Sequence, residues 1–235
     1  MPNDYLKEEE FEEVKEIKEA PKLSIKSQFK NAKSRTRFLT RVGMFTALSV
    51  VFYCYLKFPI TPPFPSFLEV NFSNLFVLLG SLFTGPIGGI IIVLLRFVFK
   101  IILVPTWTSY IGELTDVFLS LMVMLPASLT YMFIHTKKGG FLGILLSFVS
   151  WLIFSLIINW LISFPMYYSL LEQKQPGSML NMLQTVNSDI TSENMLRIYL
   201  FLMVLPFNAI SGALNVGLAA IVYKKLSIIL KKLGI

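Results

Sequence analysis

Cysteine is nearly absent from this chain. Cys54 stands alone among 235 residues, which excludes an internal disulfide and a cysteine metal cluster. Histidine is as scarce, with His135 its single representative, so histidine metal centres are excluded as well. Charge is thin: 15% of residues are charged, against about 25% in an ordinary soluble domain. No G-x-x-x-x-G-K-[ST] phosphate loop occurs, so the chain is not itself an ATPase. H-E-x-x-H and G-x-S-x-G are missing too. The first twenty residues are acidic and polar rather than a basic start followed by an apolar core. A cleavable leader is therefore not expected, and the first apolar span is expected to stay as a membrane helix.

What remains is apolar, and it comes in blocks. Hydrophobic residues make up 54% of the chain and the mean hydropathy is +0.67. Long apolar blocks with few charges predict an all-α polytopic membrane protein. Six segments are expected: 38–56, 73–84, 86–104, 113–134, 141–165 and 196–223. They form a compact six-helix bundle over residues 38–226. The second segment spans only roughly 18 Å at 1.5 Å per residue, short of the roughly 30 Å hydrocarbon core. It must lean on its neighbours or begin within the preceding loop. A re-entrant hairpin of segments two and three is equally compatible with the charge pattern.

The formal charge of +7 sits beside the apolar blocks, as topology signals do, rather than in a nucleic-acid-binding patch. Arg35, Arg37 and Arg41 precede segment one. Lys137 and Lys138 lie between segments four and five, and Lys224, Lys225, Lys231 and Lys232 close the chain. With six crossings all three clusters fall on one side, which is the cytoplasm. Both termini then lie there: a charged tail over 1–37, expected to be solvated and partly disordered, and a basic end over 227–235. The opposite side receives the loop 57–72 and the long connection 167–195, in which 179–186 is expected to form a short amphipathic helix.

The loop 58–72, FPITPPFPSFLEVNF, is too apolar for a soluble surface. Phe58, Phe64 and Phe67 read as parts of a lid over an apolar ligand. Polar groups inside membrane helices are costly, so each needs a reason. Arg96 and Lys100 share one face at i, i+4, and Glu113 and Asp116 another at i, i+3. Two readings stand for these four: an ion-pair set that fixes packing, or the polar floor of a cavity. Asn159 and Asn208 likewise suit either an interhelical hydrogen bond or the edge of a ring or polyol. Asn215 reads as packing. Trp107 and Trp160 fall where interfacial tryptophans are expected. Gly43 and Ala47 form a small-xxx-small pair, either an internal seam or an exposed docking face.

Five motifs in this order resemble the substrate-binding subunits of energy-coupling-factor vitamin transporters, above all their riboflavin-specific branch. They are Val70-Asn71-Phe72-Ser73 after a proline-rich aromatic loop, Gly85-Pro86-Ile87-Gly88-Gly89, Gly112-Glu113-Leu114, Asn159-Trp160 ahead of Pro165, and Pro206-Phe207-Asn208. The likeness covers about residues 38–226. In one respect the chain departs from it: riboflavin-binding relatives carry a lysine where this chain has Ser211.

The resemblance implies a transport subunit rather than an enzyme, with riboflavin as cargo and no cofactor of its own. Asn159 and Asn208 would bind ring or ribityl groups, with Ser211, Glu113, Asp116 and Lys100 nearby and the three loop phenylalanines closing the site. Gly43 and Ala47 would dock on a membrane-embedded coupling (T) subunit working with two ATPases. Another vitamin of the family, such as folate or thiamine, is the near alternative. A membrane-embedded enzyme using Glu113 and Asp116 as acid and base is the alternative of a different class, and a structural subunit without a cavity is a third.

Overall fold

The computed structural model describes residues 32–61, 63–106, 109–134 and 136–232. The tail over 1–31, Trp107 and His135 lie outside the described residues. Helix α1 is Ala32–Tyr55. A two-stranded antiparallel hairpin follows, β1 Lys57–Pro59 and β2 Glu69–Asn71, with Phe58 opposite Val70. Next come α2 Ser73–Leu103 and α3 Ile111–Phe133. Then α4 Lys137–Ile158 runs through a π-helical turn, Asn159–Ser163, into α5 Phe164–Lys174. Short α6 Ser178–Gln184 and α7 Met195–Ile198 lead through a second π-helical turn, Tyr199–Val204, into α8 Leu205–Lys232.

Among the described residues, five helical runs are long and apolar enough to cross a membrane: Ser34–Tyr55, Ser73–Leu103, Ile111–Phe133, Lys138–Lys174 and Met195–Tyr223. The second and third expected segments fall in one of these runs, because they meet at Gly85 with no loop between them. Gly85 takes φ 77° and ψ 179°, a backbone state open essentially only to glycine. Pro86 disfavours helical geometry in the residue before it and itself suits a first helical turn. The chain reverses there. Arg96 Nη1 donates to Ser73 Oγ at 2.7 Å across 23 residues, a span of about 34 Å in a straight helix. Where the limbs 73–84 and 86–103 cross, a Cβ on Gly89 would sit 2.7 Å from the Cβ of Ser81. Arg41 Nη1 donates to Phe83 O at 3.1 Å, satisfying one of the carbonyls left open where the first limb ends. Gly85→Ala is therefore expected to cost about 1–3 kcal/mol, read as a lower melting temperature in detergent; an unchanged melting temperature would show that the reversal needs no glycine.

The fifth expected segment stops at Pro165, yet the helix runs on to Lys174. A proline breaks an α-helix when it sits in the interior and removes a hydrogen bond. Here the π-helical turn ends at Ser163, and Pro165 follows it at the start of α5, so its missing N–H falls where the hydrogen-bond ladder passes from the wide turn back to the α-helix. Pro206 stands in the same relation to the second π-helical turn. The short amphipathic helix expected over 179–186 is present as α6.

Burial follows a membrane pattern. Leu94, Val98, Ile102, Leu145, Val149 and Ile153 face outward, while Ser81, Ser120, Ser128, Ser147 and Ser155 are buried. Trp160 is exposed, whereas Trp151 is buried inside the bundle. The helices enclose one core around Phe45, Leu78, Ile92, Met124 and Trp151. A second core lies at one end of the bundle, where Phe64 and Val70 of the loop pack with Met179, Leu183, Ile190, Tyr199 and Phe207. The loop residues 63–70 are thereby held against the connection 178–195. Between this second core and the helices lies a cavity.

Candidate functional site

The cavity is about 220 Å³ and is bounded by the β1–β2 hairpin, α1, the second limb of α2, α3, both π-helical turns and the head of α8. Its floor is ionic. Arg96 is fully buried and pairs with Asp116. It also donates to Ser120 Oγ at 2.6 Å, Ser73 Oγ at 2.7 Å and Asn74 Oδ1 at 3.2 Å. Its guanidinium carbon lies 4.9 Å from the centre of the Tyr53 ring, a cation–π contact. One turn away, Lys100 Nζ donates to Glu113 Oε1 at 2.9 Å, with both side chains buried. Spacing placed each pair on one helix face; the crossing of α2 and α3 sets each cation against one carboxylate. Asp116, Glu113, Lys100 and Tyr53 line the cavity, while Arg96 lies behind them.

The opposite wall is amide and aromatic. Asn159 stands at the start of the first π-helical turn. Its Nδ2 donates to Ser155 O at 2.8 Å and its Oδ1 accepts from the Tyr199 hydroxyl at 3.0 Å. An amide nitrogen has two protons and an amide oxygen two lone pairs, so one donor and one acceptor remain for a ligand. Phe67 packs 5.2 Å from Tyr167 and 6.2 Å from Tyr199, centre to centre, and Phe207 completes this wall. Thr115 and Ser163 hydroxyls meet at 2.7 Å on the side between. At the rim, Lys57 and Glu69 form an ion pair across the hairpin. Asn71 Oδ1 accepts from the Ser73 amide at 3.0 Å and so starts α2.

Of the residues singled out from sequence, Lys100, Glu113, Asp116, Asn159 and Phe67 come together on the cavity. Four others do not. Asn208 is turned into the bundle, its Oδ1 accepting from Trp151 Nε1 at 2.9 Å and its Nδ2 donating to Val204 O at 2.9 Å. It makes the interhelical hydrogen bond that was the other expectation for it. Ser211 is buried one turn further on, where its carbonyl accepts from Asn215 Nδ2 at 2.9 Å. Phe64 is part of the second core, its ring 5.5 Å from that of Phe207. Phe58 is 47% exposed on β1, although its cross-strand partner Val70 is fully buried. Gly43 and Ala47 are exposed on α1, and no atom lies within 4 Å of a Cβ placed on Gly43.

Sequence reasoning passed over Tyr53, Tyr167, Tyr199 and the Lys57–Glu69 pair. Tyrosines in apolar helices carry no spacing signal of their own, but a lysine and a glutamate flanking a proline-rich loop are a signal for a paired hairpin. No group of three metal-ligating side chains occurs among the described residues.

The fold and site define a multi-pass membrane protein with a polar and aromatic cavity at one end of its helical bundle. The profile described as "ECF transporter, substrate-specific component" matches residues 37–223, and the chain belongs to that family. It is 22% identical over 193 residues to the riboflavin transporter FmnP of Bacillus subtilis, covering 82% of this chain and 93% of that one. It is 23% identical over 203 residues to riboflavin transporter RibU of Staphylococcus aureus, covering 86% and 96%. It is 28% identical over 202 residues to RibU of Streptococcus thermophilus, covering 85% and 87%. A solved S component of a bacterial ECF transporter shares the fold, with TM-score 0.61, 22% identity, and coverage of 84% of this chain and 99% of that one.

Proposed function

We propose that this chain captures riboflavin with high affinity and carries it into the cell as the substrate-specific subunit of an ATP-driven transporter. The observation that carries this reading is the cavity itself: an aromatic wall suited to a flat ring faces amide, hydroxyl and ion-paired groups suited to polar ring edges and a polyol. Alignment with three riboflavin transporters over more than four fifths of the chain supports it. In this reading the two limbs of α2 each cross the bilayer, giving six crossings with both termini in the cytoplasm. The loop 57–72 and the connection 178–195 then cover the site from outside. The membrane domain is 38–226, between a charged tail and a basic end. The exposed Gly43 and Ala47 face of α1 docks on a membrane-embedded coupling subunit served by two ATPases. Glu113 and Asp116 serve the cavity as ion-paired walls rather than as acid and base, since each is already held by a cation.

Titrating purified protein in detergent against a vitamin panel, with flavin fluorescence as readout, tests the reading. Saturable one-to-one riboflavin binding in the nanomolar range is expected, with no competition from thiamine or folate. Saturable binding of one of those vitamins in place of riboflavin would move the assignment elsewhere in the family.

A further inference from the structure

Three cations stand at or directly behind the cavity among the described residues, and each is matched. Arg96 is held by Asp116, Lys100 by Glu113 and Lys57 by Glu69. Three positive charges against three negative ones leave the site with no net charge. The two inner cations cannot turn to a new partner, being at most 5% exposed and wedged between helices. Lys57 alone is placed to do so, with its side chain 31% exposed and that of Glu69 35% exposed at the rim. In the hairpin register Lys57 faces Asn71 and Glu69 faces Pro59, so the pair is a diagonal cross-strand contact.

We propose that this charge balance makes the site reject anionic forms of its ligand, and that Glu69 sets the rejection by occupying Lys57. The inference rests on the riboflavin reading and adds a selectivity to it. A ligand ending in a phosphate monoester carries about −1.5 to −2 charges at neutral pH. In this cavity it finds no unmatched cation, and at the rim it meets the Glu69 carboxylate beside the lysine it needs. An anion desolvated without a partner is strongly disfavoured. A neutral polyol needs only hydrogen bonds, which the same side chains supply.

The test compares riboflavin with riboflavin 5′-phosphate on the purified full chain. Wild-type protein is expected to bind the phosphate ester at least about tenfold more weakly than riboflavin. Equal affinities overturn the proposal while leaving the riboflavin reading intact; absence of riboflavin binding overturns the reading beneath it. In Glu69→Gln the freed lysine can take the phosphate, and the ratio of the two affinities is expected to move about tenfold or more toward the ester, with the gain shrinking as salt rises. Riboflavin binding by the same sample reports that the variant is folded. The double variant Lys57→Met with Glu69→Gln is expected to return the ratio to within about threefold of wild type. An unshifted ratio in Glu69→Gln, or a gain that survives in the double variant, shows that this pair does not set the selectivity.

Discussion

Replacing Arg96 with methionine is expected to leave little folded protein. The side chain is fully buried and ties both limbs of α2 to α3 through Ser73, Asn74, Asp116 and Ser120. Taking the guanidinium away leaves the Asp116 carboxylate without its cation inside the bundle. Breaking one partner of a buried pair costs about 3–5 kcal/mol, a large share of the roughly 5–15 kcal/mol by which proteins are stable. Arg96→Lys is expected to fall between, because an ammonium cannot reproduce the five-donor fork. The informative comparison is the double variant Arg96→Met with Asp116→Asn. Without a stranded charge it should melt above the single methionine variant. Thermal unfolding in detergent decides this; equal melting temperatures for single and double variants would mean that the ion pair is not what the arginine contributes.

Asn159→Leu is expected to remove most riboflavin binding while leaving the bundle assembled. The amide keeps one donor and one acceptor beyond its bonds to Ser155 and Tyr199, and leucine offers neither. A ligand polar edge left unpaired in a closed site costs about 1–3 kcal/mol per group, so two groups predict an affinity loss of roughly a hundredfold, about 2.8 kcal/mol. Tyr199→Phe removes the hydroxyl that orients Asn159 but leaves the amide in place, and a loss of only about fivefold is expected, near 1 kcal/mol. Flavin titrations of the two variants check the order. A tyrosine variant as damaged as the asparagine variant would shift the ligand contact from the amide to the phenol.

Parts of this arrangement were legible in the residues. Gly85-Pro86 marks the reversal because only glycine accepts that backbone and only proline forbids a helix just before it. The i, i+4 and i, i+3 spacings put Arg96 with Lys100, and Glu113 with Asp116, on single helix faces. Other parts were not legible, for stated reasons. Asn159 and Asn208 are the same side chain in similar apolar helices; what separates them is the indole of Trp151, which reaches Asn208 from 57 positions away. Phe58 and Phe67 look alike in a greasy loop, and what separates them is that Phe67 finds the rings of Tyr167 and Tyr199, far away in the chain. A proline normally ends a helix, so the run past Pro165 depends on a π-helical turn that no local rule announces.

Those two wide turns have a bearing on how such chains are compared. A π-helical turn holds one residue more than the α-helix around it, and one residue corresponds to a rotation of about 100°. Below the turns the long helices show Trp151 and Val216 to the first core, and above them Leu171 and Met195 to the second. Each turn thus acts as a phase shifter, letting a single rod serve two cores with different angular demands. A relative lacking the first turn would align with this chain only through a one-residue gap in the middle of an apolar span, and an alignment that forbids such gaps would shift one side of that helix, Asn159 or Pro165, by one position.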